Sequence, residues 1–314
     1  MTDSVQGRNT RIGWIGTGVM GAPMCHHLLD AGYPVSVFSR TRRSADNLVA
    51  AGALWRNSPS EVAEDADVMM TMVAYPADVR SVVLGERGVL GAARRGSVIV
   101  DLTTSEPTLA VEIADAAAAR GIGAVDAPVS GGDVGARNGT LVVMAGGEEW
   151  AFERALPILQ TFSRLVRRLG GPGAGQHAKA VNQVAIAAGM VGLSEALLYA
   201  YAAGLDLGTV LDTIGGGAAG SWSMANYAPR MVRGDFEPGF KVELFAKDLR
   251  IALAEARRMN LSLPGTALAE QLYIALMAQG GSAKGTHALV LALAALSKRE
   301  WKPEEDVLSS VEVR

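Results

Sequence analysis

Ile12-Gly-Trp-Ile15-Gly16-Thr17-Gly18-Val19-Met20-Gly21-Ala-Pro-Met24 is the stretch that decides the fold class. An apolar run, Ile12 to Ile15, leads into Gly16-x-Gly18-x-x-Gly21, and a helix-compatible segment follows. Each glycine has its own reason. The first permits a tight strand-to-helix turn, the second lets backbone approach a pyrophosphate, and the third allows close helix–strand packing. The helix N-terminus then offers N–H groups to phosphates. A strand before and a helix after favour dinucleotide binding over the other reading, an ordinary tight turn.

Outward from this turn, strand-like and helix-like pieces alternate. Val35–Phe38, Val68–Val73, Val98–Val100, Gly123–Asp126, Leu141–Met144 and Leu165–Leu169 read as strands. Between them, 44–51, 61–66, 79–84, 108–120 and 151–159 read as helices. The alternation predicts an α/β Rossmann-type, doubly wound, mainly parallel sheet with helices on both faces. Gly170-Gly-Pro-Gly-Ala-Gly175 reads as a flexible hinge, after which strand signals nearly vanish. Helices are expected over 177–203, 205–215, 221–232, 244–259, 264–279 and 284–298. The expected division is 1–171, a nucleotide-binding domain, and 172–314, an all-α domain for substrate and dimerisation. The stretch Ala180–Ser194 is uncharged but short for a membrane span, and it contains Asn182 and Gln183, so it reads as a buried helix. The tail from Lys302 to Arg314 is polar and reads as loose.

Composition narrows the function. With 49% hydrophobic and 19% charged residues and a net charge of −3, the 314-residue chain suits a globular enzyme and lacks the basic field of a nucleic-acid-coating protein. Met1–Thr10 lacks the apolar stretch of a signal peptide. The single cysteine, Cys25, permits no intramolecular disulfide, which fits a reducing cytoplasm; its expected role is packing. His26 and His27 are adjacent and His177 is distant, so no metal-ligand spacing appears.

Four elements carry chemistry. The second strand ends Phe38-Ser39-Arg40-Thr41-Arg42-Arg43, with no acid at its tip. A cation there suits a 2′-phosphate, so NADP is favoured over NAD; the other reading is a solvated basic turn. In Asp126-Ala-Pro-Val-Ser130-Gly131-Gly132, a hydroxyl and two bare N–H groups can face an anion, or the segment is a plain loop. Lys179 and Asn182 stand three apart on one helix face. An ammonium there can donate a proton to a carbonyl oxygen as hydride arrives, and desolvation would bring its ordinary pKa of about 10.4 toward neutrality. A solvated lysine is the other reading. Last, Lys247 in Phe245-Ala-Lys247-Asp248-Leu249 can reach a cofactor or substrate, with Asp248 orienting a lysine, or the two form a surface charge pair.

These four elements, in this order over residues 11–298, resemble the β-hydroxyacid dehydrogenase family. The resemblance implies a Rossmann domain and a helical domain joined by a long helix, with the active cleft between them. It implies Lys179 as the catalytic lysine and Ser130, Gly131, Gly132 and Asn182 as substrate contacts. Gly16, Thr17, Gly18, Val19, Met20, Gly21, Ser39, Arg40 and Thr41 are expected to hold the cofactor. The resemblance adds Val73 and Ala74 of a lining loop, Thr104 beside the nicotinamide, and Lys247 near the cofactor. Two departures stand out: many members carry a second Asn where Gln183 follows Asn182, and an Asp-x-Ser pattern where this chain reads Gly285-Thr-His287. His287 either alters the substrate end of the pocket or packs. Trp222, Met224 and Tyr227 either line the cleft or pack.

The expected activity is therefore hydride transfer between NADP, or NAD, and a small carboxylate-bearing hydroxy acid or its semialdehyde. No metal, nucleic-acid or membrane partner is expected. The rivals are an imine or ketone reductase, against which Lys179 argues, and a silent NADP-binding module. The apolar helices of the second half predict a homodimer or homotetramer.

Overall fold

Six short strands build the parallel part of the sheet, and three of them, Ile12–Ile15, Val68–Thr71 and Val98–Asp101, are buried on both faces. A computed structural model describes residues 9–302; the calls on Met1–Thr10 and on Lys302–Arg314 fall largely outside that span. The strands are β1 (Ile12–Ile15), β2 (Val35–Phe38), β3 (Leu54–Trp55), β4 (Val68–Thr71), β5 (Val98–Asp101), β6 (Gly123–Asp126), β7 (Val129–Ser130), β8 (Leu141–Gly147) and β9 (Ser163–Gly170). Their order is β3-β2-β1-β4-β5-β6-β8-β7, with β9 paired to β8. Strands β1 to β6 run parallel, whereas β8 runs antiparallel to β6 and β7. The mainly parallel, doubly wound sheet is thus present, with an antiparallel corner at β7 and β8.

Alternation explains why continuous apolar runs form these strands. Ile12, Trp14, Val68, Met70, Val98 and Val100 pack on one face, and Ile15, Met69 and Ile99 on the other. Helices cover both sides, so neither face can be polar. The strand order reverses at β1, whose neighbours are β2 and β4. In sheets of this kind ligands bind beyond the strand ends at that reversal.

The chain divides into two compact units after Lys179. The second is helical, with Leu207–Gly215, Trp222–Val232, Val242–Arg258, Pro264–Ala278 and Leu289–Leu296 around Leu197, Met231, Phe245, Leu249 and Tyr273. Phe245 meets Tyr273 edge-on at 5.1 Å. Asp206 and Ser221 cap two of these helices by accepting from Thr209 N and Met224 N. The helix expected over 284–298 is a 3-10 turn, Thr286–Ala288, followed by Leu289–Leu296. Gly285 N and Thr286 N are committed to Phe236 O and Phe240 O, which delays the α-helix.

Two expectations are corrected. The glycine stretch 170–175 is not loop throughout: Gly170 ends the last strand and the long helix Ala174–Ala202 begins inside the stretch. A Cβ at Gly175 would overlap the Asp126 and Met144 carbonyl oxygens, so this glycine serves close packing. Nor is that helix buried throughout. Met190, Leu193 and Leu197 are enclosed, yet Val181 and Tyr199 are 70% and 76% exposed. The helix carries many apolar residues, and the described residues cover only some of them. It is long and apolar enough to pass for a membrane span by composition.

Candidate active site

The glycine turn has the shape its sequence promised. Gly16 has φ +98°, and a Cβ there would overlap the Met72 carbonyl oxygen; one at Gly21 would overlap the Gly16 carbonyl oxygen. Gly18 has nothing within 4 Å of where its Cβ would stand, so a pyrophosphate can approach its backbone closely. The helix Gly21–Asp30 has neither a side-chain cap nor an acid in its first turn, which leaves its positive end to an anion. These residues fit a dinucleotide. Val19 is exposed and Met20 half-buried beside the turn. Cys25 is buried on this helix, and burial pushes its thiol pKa up, in keeping with packing.

The turn is tied to the tip of β2. Gly16 N donates to Phe38 O at 2.9 Å. Thr17 Oγ1 lies 2.6 Å from Ser44 Oγ, which lies 3.1 Å from Ser39 Oγ and 2.7 Å from Thr41 O. Ser44 belongs to this cluster although no sequence motif singles it out. The Arg40 side chain is 89% exposed and pairs with Asp78 at 3.5 Å. Val73 reaches the same turn, its Cγ1 3.3 Å from the place of a Gly16 Cβ, and its N–H donates to Thr103 Oγ1 at 3.0 Å. Ala74 and Thr104 are half-buried nearby in the chain.

Behind these residues lies a polar network that sequence reasoning missed. Asp101 Oδ1 accepts from Thr71 Oγ1 at 2.7 Å and from Thr103 N at 3.1 Å. Asp101 stands opposite Asp126 across β5 and β6. Asp126 accepts from Gly173 N at 2.8 Å and Gln176 N at 2.9 Å, which holds the start of the long helix. The Gln176 side chain accepts from Ser105 N and donates to Thr103 O, at 2.9 and 2.8 Å. Burial pushes both carboxyls up to about 6, against the hydrogen bonds that favour their charged forms.

One turn after Gln176, Lys179 is buried and its Nζ donates to Val129 O at 2.8 Å. The next residue along β7 is Ser130, followed by Gly131 at φ +128° and Gly132 at φ +64°. Two successive positive φ angles are glycine territory and turn the backbone N–H groups in a way other residues would resist. The structure thus brings Lys179 together with the Ser130–Gly132 segment.

In the helical unit, Asn182 Nδ2 donates to Gln183 Oε1 at 2.7 Å, and Gln183 Nε2 donates to Asp248 Oδ2 at 2.6 Å. Lys247 Nζ lies 3.1 Å from Asp248 Oδ1, an ion pair by distance without the alignment of a hydrogen bond. The pair is 10% and 1% exposed, so it is no surface pair. The long lysine stem lets adjacent residues meet despite their divergent directions.

His287 packs. It is fully buried, stacked on Tyr227 at 4.8 Å and on Phe236 at 5.7 Å, with Nε2 donating to Asp235 O at 2.7 Å. Burial lowers its pKa. Trp222 is exposed and meets Tyr227 edge-on, and Met224 is buried. Among the described residues, no cluster of three His, Cys, Asp or Glu could hold a metal ion.

Residues 11–171 match the family model described as the NAD binding domain of 6-phosphogluconate dehydrogenase. Residues 173–293 match the one described as NAD-binding of NADP-dependent 3-hydroxyisobutyrate dehydrogenase. An Arabidopsis thaliana protein named "Probable 3-hydroxyisobutyrate dehydrogenase-like 1, mitochondrial" is 51% identical over 94% of this chain and 89% of its own. The 2-hydroxy-3-oxopropionate reductase of Escherichia coli (strain K12) is 38% identical over 90% of this chain and 97% of its own. The structure of Mycobacterium tuberculosis 3-hydroxyisobutyrate dehydrogenase with L-serine has a TM-score of 0.83 at 32% identity, covering 90% of this chain and 99% of that one. Two models that succeed one another along the chain, and relatives aligned over most of it, identify this protein as a member of the β-hydroxyacid dehydrogenase family.

Proposed function

We propose that this NAD(P)-dependent hydroxyacid dehydrogenase interconverts a small hydroxy acid and its semialdehyde, prefers NADP, and uses Lys179 as its proton donor and acceptor. The observation that carries the reading is the buried Lys179 ammonium anchored on Val129 O, one residue before the Ser130–Gly132 turn. The nicotinamide, when bound, gives or takes the hydride at the substrate carbon. Lys179 Nζ gives a proton to the substrate oxygen during reduction and removes it during oxidation. Ser130 and the N–H groups of Gly131 and Gly132 hold the carboxylate, and Asn182 holds the hydroxyl end.

For the coenzyme, Gly16, Thr17, Gly18, Val19, Met20 and Gly21 take the pyrophosphate. Ser39, Arg40 and Thr41 take the adenosine end with its 2′-phosphate. Val73, Ala74 and Thr104 border the nicotinamide, and Lys247, braced by Asp248, is assigned to the coenzyme as well. The NADP preference is supported by the acid-free, arginine-bearing tip of β2 and by the second family model's description. We propose too that the exposed apolar side of Ala174–Ala202, with Val181 and Tyr199, is covered in a homodimer or homotetramer. A monomer in light scattering would reject that.

Lys179→Ala tests the central claim. The expected result is a loss of kcat by about a thousandfold, within the range of acid–base catalysis, with coenzyme affinity by fluorescence titration unchanged. Wild-type turnover in the variant rejects the assignment.

A further inference from the structure

The Trp14 side chain reaches the glycine turn from inside the core. The Ile15–Gly16 peptide still belongs to the sheet: Met72 N donates to Ile15 O and Gly16 N donates to Phe38 O, each at 2.9 Å. The Gly16–Thr17 peptide is the first that no strand neighbour holds, and among the described residues no backbone N–H donates to its oxygen. The indole does so instead, Trp14 Nε1 donating to Gly16 O at 2.8 Å. The ring itself is fixed, because Trp14 is fully buried and meets Phe162 edge-on at 6.3 Å. The same oxygen occupies the place of a Gly21 Cβ, so it lies against the first residue of the helix Gly21–Asp30.

A trans peptide is planar, so its C=O and N–H point opposite ways. With Gly16 O held by the buried indole, the Thr17 N–H faces away from the ring, and it meets no backbone acceptor among the described residues. Gly16, at φ +98°, has no side chain to resist a rotation of this plane. An apolar ring without a donor would serve the core at position 14; the N–H is what tryptophan adds.

We propose that Trp14 is a positioning residue for the coenzyme: its indole N–H locks the Gly16–Thr17 peptide, so that the N–H groups of the turn stand ready for the pyrophosphate. A turn locked beforehand loses less freedom on binding, and the affinity is higher for it. The inference rests on the pyrophosphate's place at Gly16–Gly21 in the proposed function.

The test is isothermal titration of wild type, Trp14→Phe and Phe162→Leu with NADP, 2′-phospho-ADP-ribose and 2′-AMP, the last of which lacks a pyrophosphate. Trp14→Phe removes the donor, whereas Phe162→Leu loosens the same ring packing and leaves the donor in place. Trp14→Phe is expected to raise Kd for NADP and for 2′-phospho-ADP-ribose about tenfold, one hydrogen bond's worth, and to leave Kd for 2′-AMP within about twofold. Phe162→Leu is expected to lower the melting temperature and to keep all three Kd values within about twofold of wild type. Unchanged NADP affinity in Trp14→Phe, equal weakening of all three ligands, or the same weakening of NADP in Phe162→Leu overturns the inference.

Should either variant lose its cooperative melting transition, proton NMR reads the indole in the wild type. Pyrophosphate at the turn polarises the Gly16–Thr17 peptide and strengthens Gly16 O as an acceptor. The Trp14 indole proton, identified by its proximity to the Phe162 ring, is therefore expected to move downfield with 2′-phospho-ADP-ribose and to stay in place with 2′-AMP; an unmoved resonance with both overturns the inference. A wild-type protein that binds neither NADP nor NADH instead overturns the functional reading, and this inference with it.

Discussion

Asp126 in the sheet unit and Asp248 in the helical unit are both buried carboxylates, yet they hold different things. Asp126 accepts two backbone N–H groups, from Gly173 and Gln176, and so fixes the first turn of the long helix. Asp248 meets two side chains, the Gln183 amide and the Lys247 ammonium. One acid sets where the main chain starts, and the other sets which way a side chain faces. A backbone anchor is shared by every residue downstream in the turn, Lys179 among them. A side-chain anchor acts on one amide at a time. Loss of the first should therefore damage stability and turnover together, and loss of the second should spare the turn that carries Lys179.

The largest effect expected on the fold is that of Asp126→Ala. It leaves the N–H groups of Gly173 and Gln176 without their acceptor inside the protein. At about 1–3 kcal/mol for each unsatisfied buried group, the cost is about 3 kcal/mol of unfolding free energy. Turnover should fall as well, because the turn that carries Lys179 is no longer pinned to β6. Urea unfolding and kcat measured on the same preparation check both. A variant that melts earlier yet keeps full kcat would break the contrast with Asp248.

The contrast also explains what was legible in the sequence. The glycine turn and the parallel strands were readable because their signals are local: an apolar run of four residues, then glycines at fixed offsets. Lys179 and the Ser130–Gly132 segment were readable by motif, although the bond from Lys179 Nζ to Val129 O joins residues 50 apart. The bracing network was not readable. Thr71 and Asp101 are 30 apart and Thr103 and Gln176 are 73 apart, and polar partners at such separations leave no periodicity. The two-residue strand β3 and the hydroxyl of Ser44 escaped for the same reason. The glycines near 175 suggested a hinge because sequence shows a missing Cβ without showing the carbonyl oxygens of Asp126 and Met144 that occupy its place.

A smaller effect separates charge from geometry within the sheet unit. Burial raises the Asp101 carboxyl to about 6, from an unfolded value near about 4. Between those values the folded chain binds a proton that the unfolded chain has released. The stability this provides is full below about pH 4, falls as pH rises, and is gone above about pH 6. Asp101→Asn keeps Oδ1 for Thr71 and Thr103 but removes the titration. The unfolding free energy of the variant relative to wild type should rise by about 2 kcal/mol between pH 4 and pH 7. An unchanged difference would mean that the Asp101 carboxyl does not titrate in this interval.

The smallest effect on the fold, with a clear effect on recognition, is expected from Arg40→Ala. The side chain is 89% exposed and its pairing with Asp78 is long, at 3.5 Å. Exposed pairs of this kind contribute little to stability, so the urea midpoint should not move. A 2′-phosphate would still lose a cation that can pair with it. The ratio of kcat/KM for NADPH over NADH is expected to fall by about tenfold, equivalent to about 1.4 kcal/mol of discrimination. If the ratio is unchanged, the NADP preference does not reside in Arg40, and Arg42 or Arg43 at the same strand tip is the next cation to remove.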